Sequence, residues 1–117
     1  GRSPCRDVDG GYREFGVPAL GVLGYADDVV SPHAAALALA VDPEAATANL
    51  QRLAAVPGLY GAFGFHDGYA PATGRVARAY LALDQAMLLL ALANHLGDGV
   101  VRGWFEADPE IAAVLPL

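Results

Sequence analysis

Cysteine is almost absent from this chain. The single Cys5 excludes an internal disulfide framework and a cysteine zinc site, and an isolated buried thiol usually behaves as a small apolar side chain. Its neighbour Arg6 is only a weak pointer to an activated thiolate. Basic residues are scarce too: seven Lys and Arg stand against thirteen Asp and Glu, a net charge of −6. Nucleic-acid binding draws on basic patches, so that partner class is set aside. No apolar run approaches the roughly 20 residues of a membrane-spanning helix, and no signal-peptide pattern is visible. No two histidines stand at the spacing that places two ligands on one helix face, so the spacing assigns no metal site and no cofactor. The only methionine is Met87. The expectation is that residues 1–117 are a fragment of a larger domain whose N-terminal part lies outside this sequence.

What is abundant is apolar: 55% of residues are hydrophobic, above the usual range. Residues 80–96, YLALDQAMLLLALANHL, form the stretch around which the chain is organised. Its middle, 86–93, carries no charge, and a helix that is apolar all round is buried on all sides. Asp84 at its start has two readings: a helix N-cap that accepts backbone N–H bonds, or a site residue at the mouth of a buried helix. Gly97 suits the C′ position. Residues 33–40, HAAALALA, form a second such helix, with Ser31 as cap and Pro32 at the first position. His33 lies in its first turn, near Asp27 and Asp28; a lone histidine is usually structural, and the parallel with Asp84 is the one reason to weigh a ligand role. A domain of this size has too much surface to bury two such helices alone, so missing neighbours are expected.

The other elements surround these two. Asp42-Pro43-Glu44 starts a helix over 43–55, whose apolar face is Ala46, Leu50, Leu53 and Ala54. Residues 99–107 form a short outer helix with Trp104 and Phe105 covering the buried one, and Asp108-Pro109-Glu110 repeats the start signal for a last turn over 109–115. The order is inner, outer, inner, outer. Between the helices lie two loops rich in glycine and aromatic residues. Residues 1–23 contain a turn at Asp9-Gly10-Gly11 and a short extended piece at 12–15, which brings Tyr12 and Glu14 together. Residues 59–73 surround His66-Asp67-Gly68 with Tyr60, Phe63, Phe65 and Tyr69. Aromatic rings with interleaved polar groups suit a sugar, whose faces stack and whose hydroxyls need partners. The plainer reading has the rings filling gaps between helix ends.

Five segments, in chain order, carry a family likeness: DVDGGYREFG at 7–16, VSPHAA at 30–35, FGFHDGYA at 63–70, YLALDQA at 80–86 and DPEI at 108–111. Together they resemble the C-terminal part of the glycoamylase-like family, which is similar to endo-β-1,2-glucanases and to a domain of cyclic β-1,2-glucan synthases. Ala86, Ala93 and His95 depart from the family's usual glycine, glutamate and tyrosine. The resemblance implies an all-α fold, an incomplete α/α toroid of helical hairpins with the site in the cavity at one end of the inner helices. It implies a periplasmic or secreted location.

Two functions from different classes follow. The first is part of a glycoside hydrolase-like domain that acts on a glucan by acid–base catalysis with two carboxylates. Glu14, Asp67 and Asp84 are the local candidates. The assignment made here is substrate contact: Tyr12 and Tyr69 stack on sugars, while Glu14, His33, His66, Asp67 and Asp84 meet hydroxyls. Tyr12, His33, Asp67 and Asp84 are expected to line one concave, partly exposed surface. The second is a non-catalytic glycan-binding or scaffold protein on the same fold, with transglycosylation as a further variant. The partners implied are an oligosaccharide and the missing part of the same domain.

Overall fold

The computed structural model describes residues 2–15 and 29–115. The expectations for residues 16–23 and for Asp27 and Asp28 lie outside that range. The chain opens with a hairpin of β1 (Cys5–Arg6) and β2 (Tyr12–Arg13). Then come α1 (Pro32–Leu37), a 3₁₀ turn at Ala38–Ala40, and α2 (Pro43–Ala54). Two further hairpins follow: β3 (Tyr60–Gly61) with β4 (Gly64–Phe65), and β5 (Gly68–Ala70) with β6 (Arg75–Ala77). The chain ends in α3 (Ala82–Leu96), α4 (Val100–Glu106) and α5 (Pro109–Ala112).

The local helix signals act as their chemistry dictates. The Asp42 carboxylate accepts the Ala45 N–H at 3.0 Å, with Pro43 at the first helical position. Asp108 does the same for Glu110 and Ile111. Each satisfies donors that a helix start leaves without intrahelical partners. Gly97 closes α3 with an ordinary φ of −105°; the left-handed residues are Asp98 and Gly99, the latter heading α4.

The all-α expectation needs correction. Residues 60–77 form two antiparallel hairpins, not an irregular loop. Strands of two or three residues show no periodicity, so the sequence pattern cannot reveal them. The described part of the fold is mostly helical, with α1 packed between α2 and α3, and α4 against α3. That packing is consistent with the inner–outer alternation.

Two small cores hold this arrangement. Cys5, Phe15, Val29 and Ala70 form one, so the first hairpin is seated on the third. Ala35, Leu53, Leu59 and Phe65 form the other, where α1, α2 and the second hairpin meet. Within α2, Ala46 and Leu53 are buried and Leu50 partly so, but Ala54 is exposed.

Within the described residues the 80–96 helix is covered at one end only. Asp84 is the only fully buried residue of α3, while Leu83, Leu89, Leu90 and Leu96 face outward. Trp104 and Phe105 do not cover it; they are 71% and 60% exposed. The radius of gyration, 15.7 Å, exceeds the about 13 Å of a compact domain of this length. The helices have apolar faces, as the sequence requires, but the described chain supplies cover at one end only.

Candidate functional site

The covered end is polar. α1 and α3 both begin there, and the turn between β4 and β5 inserts between them. Asp84 is not the N-cap of α3; Leu81 holds that position and makes no side-chain cap. Asp84 sits in the first turn, and its carboxylate Oδ2 lies 3.3 Å from His33 Nδ1. Asp67 completes the group: one donor atom from each of His33, Asp67 and Asp84 lies within 4.8 Å of those of the others. The three residues are 3%, 2% and 4% exposed. The expected partly exposed surface is therefore a buried junction.

Asp67 is aimed by backbone. Its Oδ2 accepts the N–H of Arg6 in β1, and its own N–H donates to Ala79 O at 3.0 Å. The next residue has to be glycine. A Cβ on Gly68 would stand 2.9 Å from Arg6 O and 3.0 Å from Val29 Cγ1, so a side chain there would push β1 off the Asp67 carboxylate. Gln85 locks the other side by donating from Nε2 to Phe65 O at 2.8 Å.

Burial sets the protonation. Asp67 is pushed up to about 7, first by desolvation and then by the neighbouring Asp84 carboxyl, the Arg6 N–H opposing. Two adjacent carboxyls in a dry site cannot both ionise cheaply. Desolvation also lowers the imidazolium pKa of His33, against the attraction of Asp67. The junction thus favours a neutral imidazole at His33 and a protonated carboxyl at Asp67 beside Asp84. Cys5, by contrast, is raised to about 11 by burial, with the Ser31 hydroxyl only partly offsetting it; it is an inert core thiol.

The remaining expected residues divide. His66 lines the same small recess as His33, Asp67, Asp84 and Gln85, and its Nε2 stands 3.4 Å from the Tyr80 hydroxyl. Tyr12 is 58% exposed, its hydroxyl donating to Pro4 O at 3.2 Å. Its phenol is raised by partial desolvation and then by Asp84 and Asp67, which places it within electrostatic reach of the junction. Glu14 is exposed on the strand end after β2. Tyr69 is not grouped with them: it pairs with Val76 in the third hairpin and packs on the Leu59 core. Sequence reasoning missed Arg6, whose backbone orients Asp67, and Gln85 as a strut; no side-chain signal marks the first, whereas the polar Gln85 beside Asp84 in an apolar helix marks the second.

Known proteins place the chain. Residues 1–109 match the Glycoamylase family, described as putative glucoamylase. The chain is 42% identical over 113 residues to the cyclic beta-(1,2)-glucan synthase NdvB of Rhizobium meliloti (strain 1021), a match that takes in 87% of this chain and 4% of that protein. Its fold superposes on a putative glucoamylase from Bacteroides caccae ATCC 43185 with a TM-score of 0.82 at 24% identity, covering 97% of this chain and 26% of the other. It superposes equally on the endo-beta-1,2-glucanase from Chitinophaga pinensis, solved with sophorotriose and glucose, with a TM-score of 0.80 at 24% identity and the same coverage. The chain thus spans about a quarter of those solved structures and a small fraction of the synthase. With the family match extending through the junction-forming segments, this chain belongs to the Glycoamylase (putative glucoamylase) family.

Proposed function

We propose that the chain is the C-terminal part of a glycoamylase-like α/α toroid domain that acts on a glucan, β-1,2-linked, as a glycoside hydrolase. The observation that carries this reading is the buried carboxyl pair Asp67–Asp84 at the shared opening of α1 and α3, in a chain whose relatives include a β-1,2-glucan synthase and an endo-β-1,2-glucanase. Once the junction opens to a sugar, a protonated carboxyl can donate to its oxygen and an ionised neighbour can accept from a hydroxyl.

The two carboxyls act together on one side of the sugar. Opposed catalytic pairs stand about 5–5.5 Å apart in retaining enzymes and about 6.5–9.5 Å in inverting ones, the latter leaving room for a water. Here one oxygen of each carboxyl lies within 4.8 Å of the other, and the recess leaves about 0 Å³ for a water molecule. The opposing carboxylate therefore belongs to another part of the domain. Tyr12, Glu14 and His66 are proposed as the flanking sugar contacts, and Tyr69, packed on the Leu59 core, is not.

The test is product analysis. The polypeptide carrying this chain with the rest of its domain is incubated with β-1,2-glucan, alongside Asp67→Asn and Asp84→Asn. Turnover that falls in both variants, with unchanged circular dichroism, supports the reading; equal turnover in all three overturns it. The burial of the junction favours one alternative, a glycan-binding protein without turnover, which would bind the glucan and release no product. Longer products would instead indicate transglycosylation.

A further inference from the structure

We propose that His33, Asp67 and Asp84 form a binding site for one divalent first-row cation, with Zn²⁺ the best match. The proposal rests on the geometry of the junction and not on the glucan reading.

Three polar atoms at the junction, His33 Nδ1, Asp67 Oδ1 and Asp84 Oδ2, are buried and make no hydrogen bond of good geometry among the described residues. Buried polar atoms are nearly always satisfied, so three in one place call for an occupant. Water is not that occupant. A buried water needs at least about 10–15 Å³, and the recess leaves about 0 Å³. A bare cation is smaller than water and is drawn to these atom types: imidazole nitrogen and carboxylate oxygen are zinc ligands.

The spacing fits as well. His33 Nδ1 and Asp84 Oδ2 are 3.3 Å apart. Two tetrahedral ligands, each about 2.0–2.1 Å from Zn²⁺, stand roughly 3.3 Å from each other. The third ligand atom lies within 4.8 Å of the other two, so Asp67 Oδ1 moves inward to complete a three-ligand set when the cation binds. The charge balances: two carboxylates in a water-excluded site carry two negative charges, and a divalent cation neutralises both. The ligands are also braced from outside, as metal ligands commonly are. The second oxygen of Asp67 is held by the Arg6 N–H, while His33 and Asp84 sit in the first turns of two packed helices. A cation there would tie the first hairpin, α1 and α3 together. Helical ligand spacing cannot reveal such a site, because its three members come from three elements.

The experiment uses protein stripped with a chelator and titrated with Zn²⁺ by calorimetry. Saturable binding of one equivalent per chain, with a rise in melting temperature, is expected. His33→Ala and Asp84→Asn should each weaken it by at least about tenfold, the effect that even ligand-supporting residues have. A measurement that needs no variant is the visible absorption of added Co²⁺, which should saturate at one equivalent and vanish on adding Zn²⁺. Binding without a defined stoichiometry, Co²⁺ showing only its aqueous spectrum, or affinity unchanged in His33→Ala/Asp84→Asn would overturn the site. Zn²⁺ binding without glucan binding, or the converse, separates this proposal from the preceding one.

Discussion

The two ends of α3 invert the usual rule of burial. At its N-terminal end, Asp84 is buried beside His33 and Asp67. Further along, Leu89, Leu90 and Leu96 are exposed, and so are Trp104 and Phe105 on the adjoining α4. Charged groups are almost never fully buried unless paired, and a contiguous apolar patch this prominent marks an interaction surface. The polar end buries three ionisable side chains together, the feature on which the proposed ligand site rests. The apolar end, including an open groove of about 470 Å³ between Leu37, Leu39, Met87 and Leu90, is built for cover. The matched solved structures extend well beyond this chain, which covers about a quarter of each.

The largest effect expected from this contrast concerns the chain in isolation. The 117 residues alone should bind an apolar dye strongly and associate with rising concentration, because the described residues leave the α3–α4 face uncovered. A monomer with no dye binding and one sharp unfolding transition would contradict the contrast. Trp104 is the only tryptophan, so its fluorescence reports directly: emission of a solvent-exposed indole in the isolated chain, shifted to shorter wavelength when the rest of the domain is present.

Substitution sharpens the same comparison. Leu59, fully buried in the core beside α1, should lose about 2–5 kcal/mol on change to Ala. Trp104→Ala in the isolated chain should stay within about 0.5 kcal/mol, as exposed sites do. Urea titration of both variants checks this, and equal losses would place the indole in a core.

Next in size is a pH effect in chelated protein. Asp67 is raised to about 7 from 3.8, so between those values the folded state holds a proton the unfolded state has released. Its contribution to stability is present at low pH and lost as pH rises towards 7. His33 is lowered from 6.5, so below that value the unfolded state takes up a proton the folded state declines; its contribution is lost as pH falls. The two slopes oppose each other below pH 6.5. Asp67→Asn should unmask the histidine, with stability rising with pH by up to about 1.4 kcal/mol per unit. His33→Asn should show the opposite slope. Parallel profiles for the two variants would mean that these groups are not the ones titrating.

The smallest effect is local. Asp42→Ala should cost about 0.5–2 kcal/mol through loss of the α2 cap, measured by thermal unfolding, without altering the junction.

Much of this was legible in the sequence, for reasons that differ by element. Helix starts at Asp42 and Asp108 are local chemistry, written in three consecutive residues. The family is carried by segments in order. His33 and Asp84 were paired by their like positions at the openings of two apolar helices. Their contact with Asp67 was not measurable from spacing, since a turn between hairpins delivers that residue. The hairpins at 60–77 are too short for any periodicity. The apolar surface of α3 states a need for cover but not where the cover comes from, and the described residues supply it at one end only. Tyr69 looked like its neighbours Tyr60 and Phe63, yet strand alternation turns it onto the core.

Calorimetric binding of a β-1,2-linked gluco-oligosaccharide tests the central claim most directly, that the polar end of α3 is a ligand site. The polypeptide carrying this chain with the rest of its domain is compared with its Asp84→Asn variant. The account predicts saturable binding, weakened at least about tenfold by the substitution, the loss of one charge-assisted hydrogen bond, with the helical circular dichroism unchanged. No binding by the native polypeptide, or equal binding by both, would contradict it.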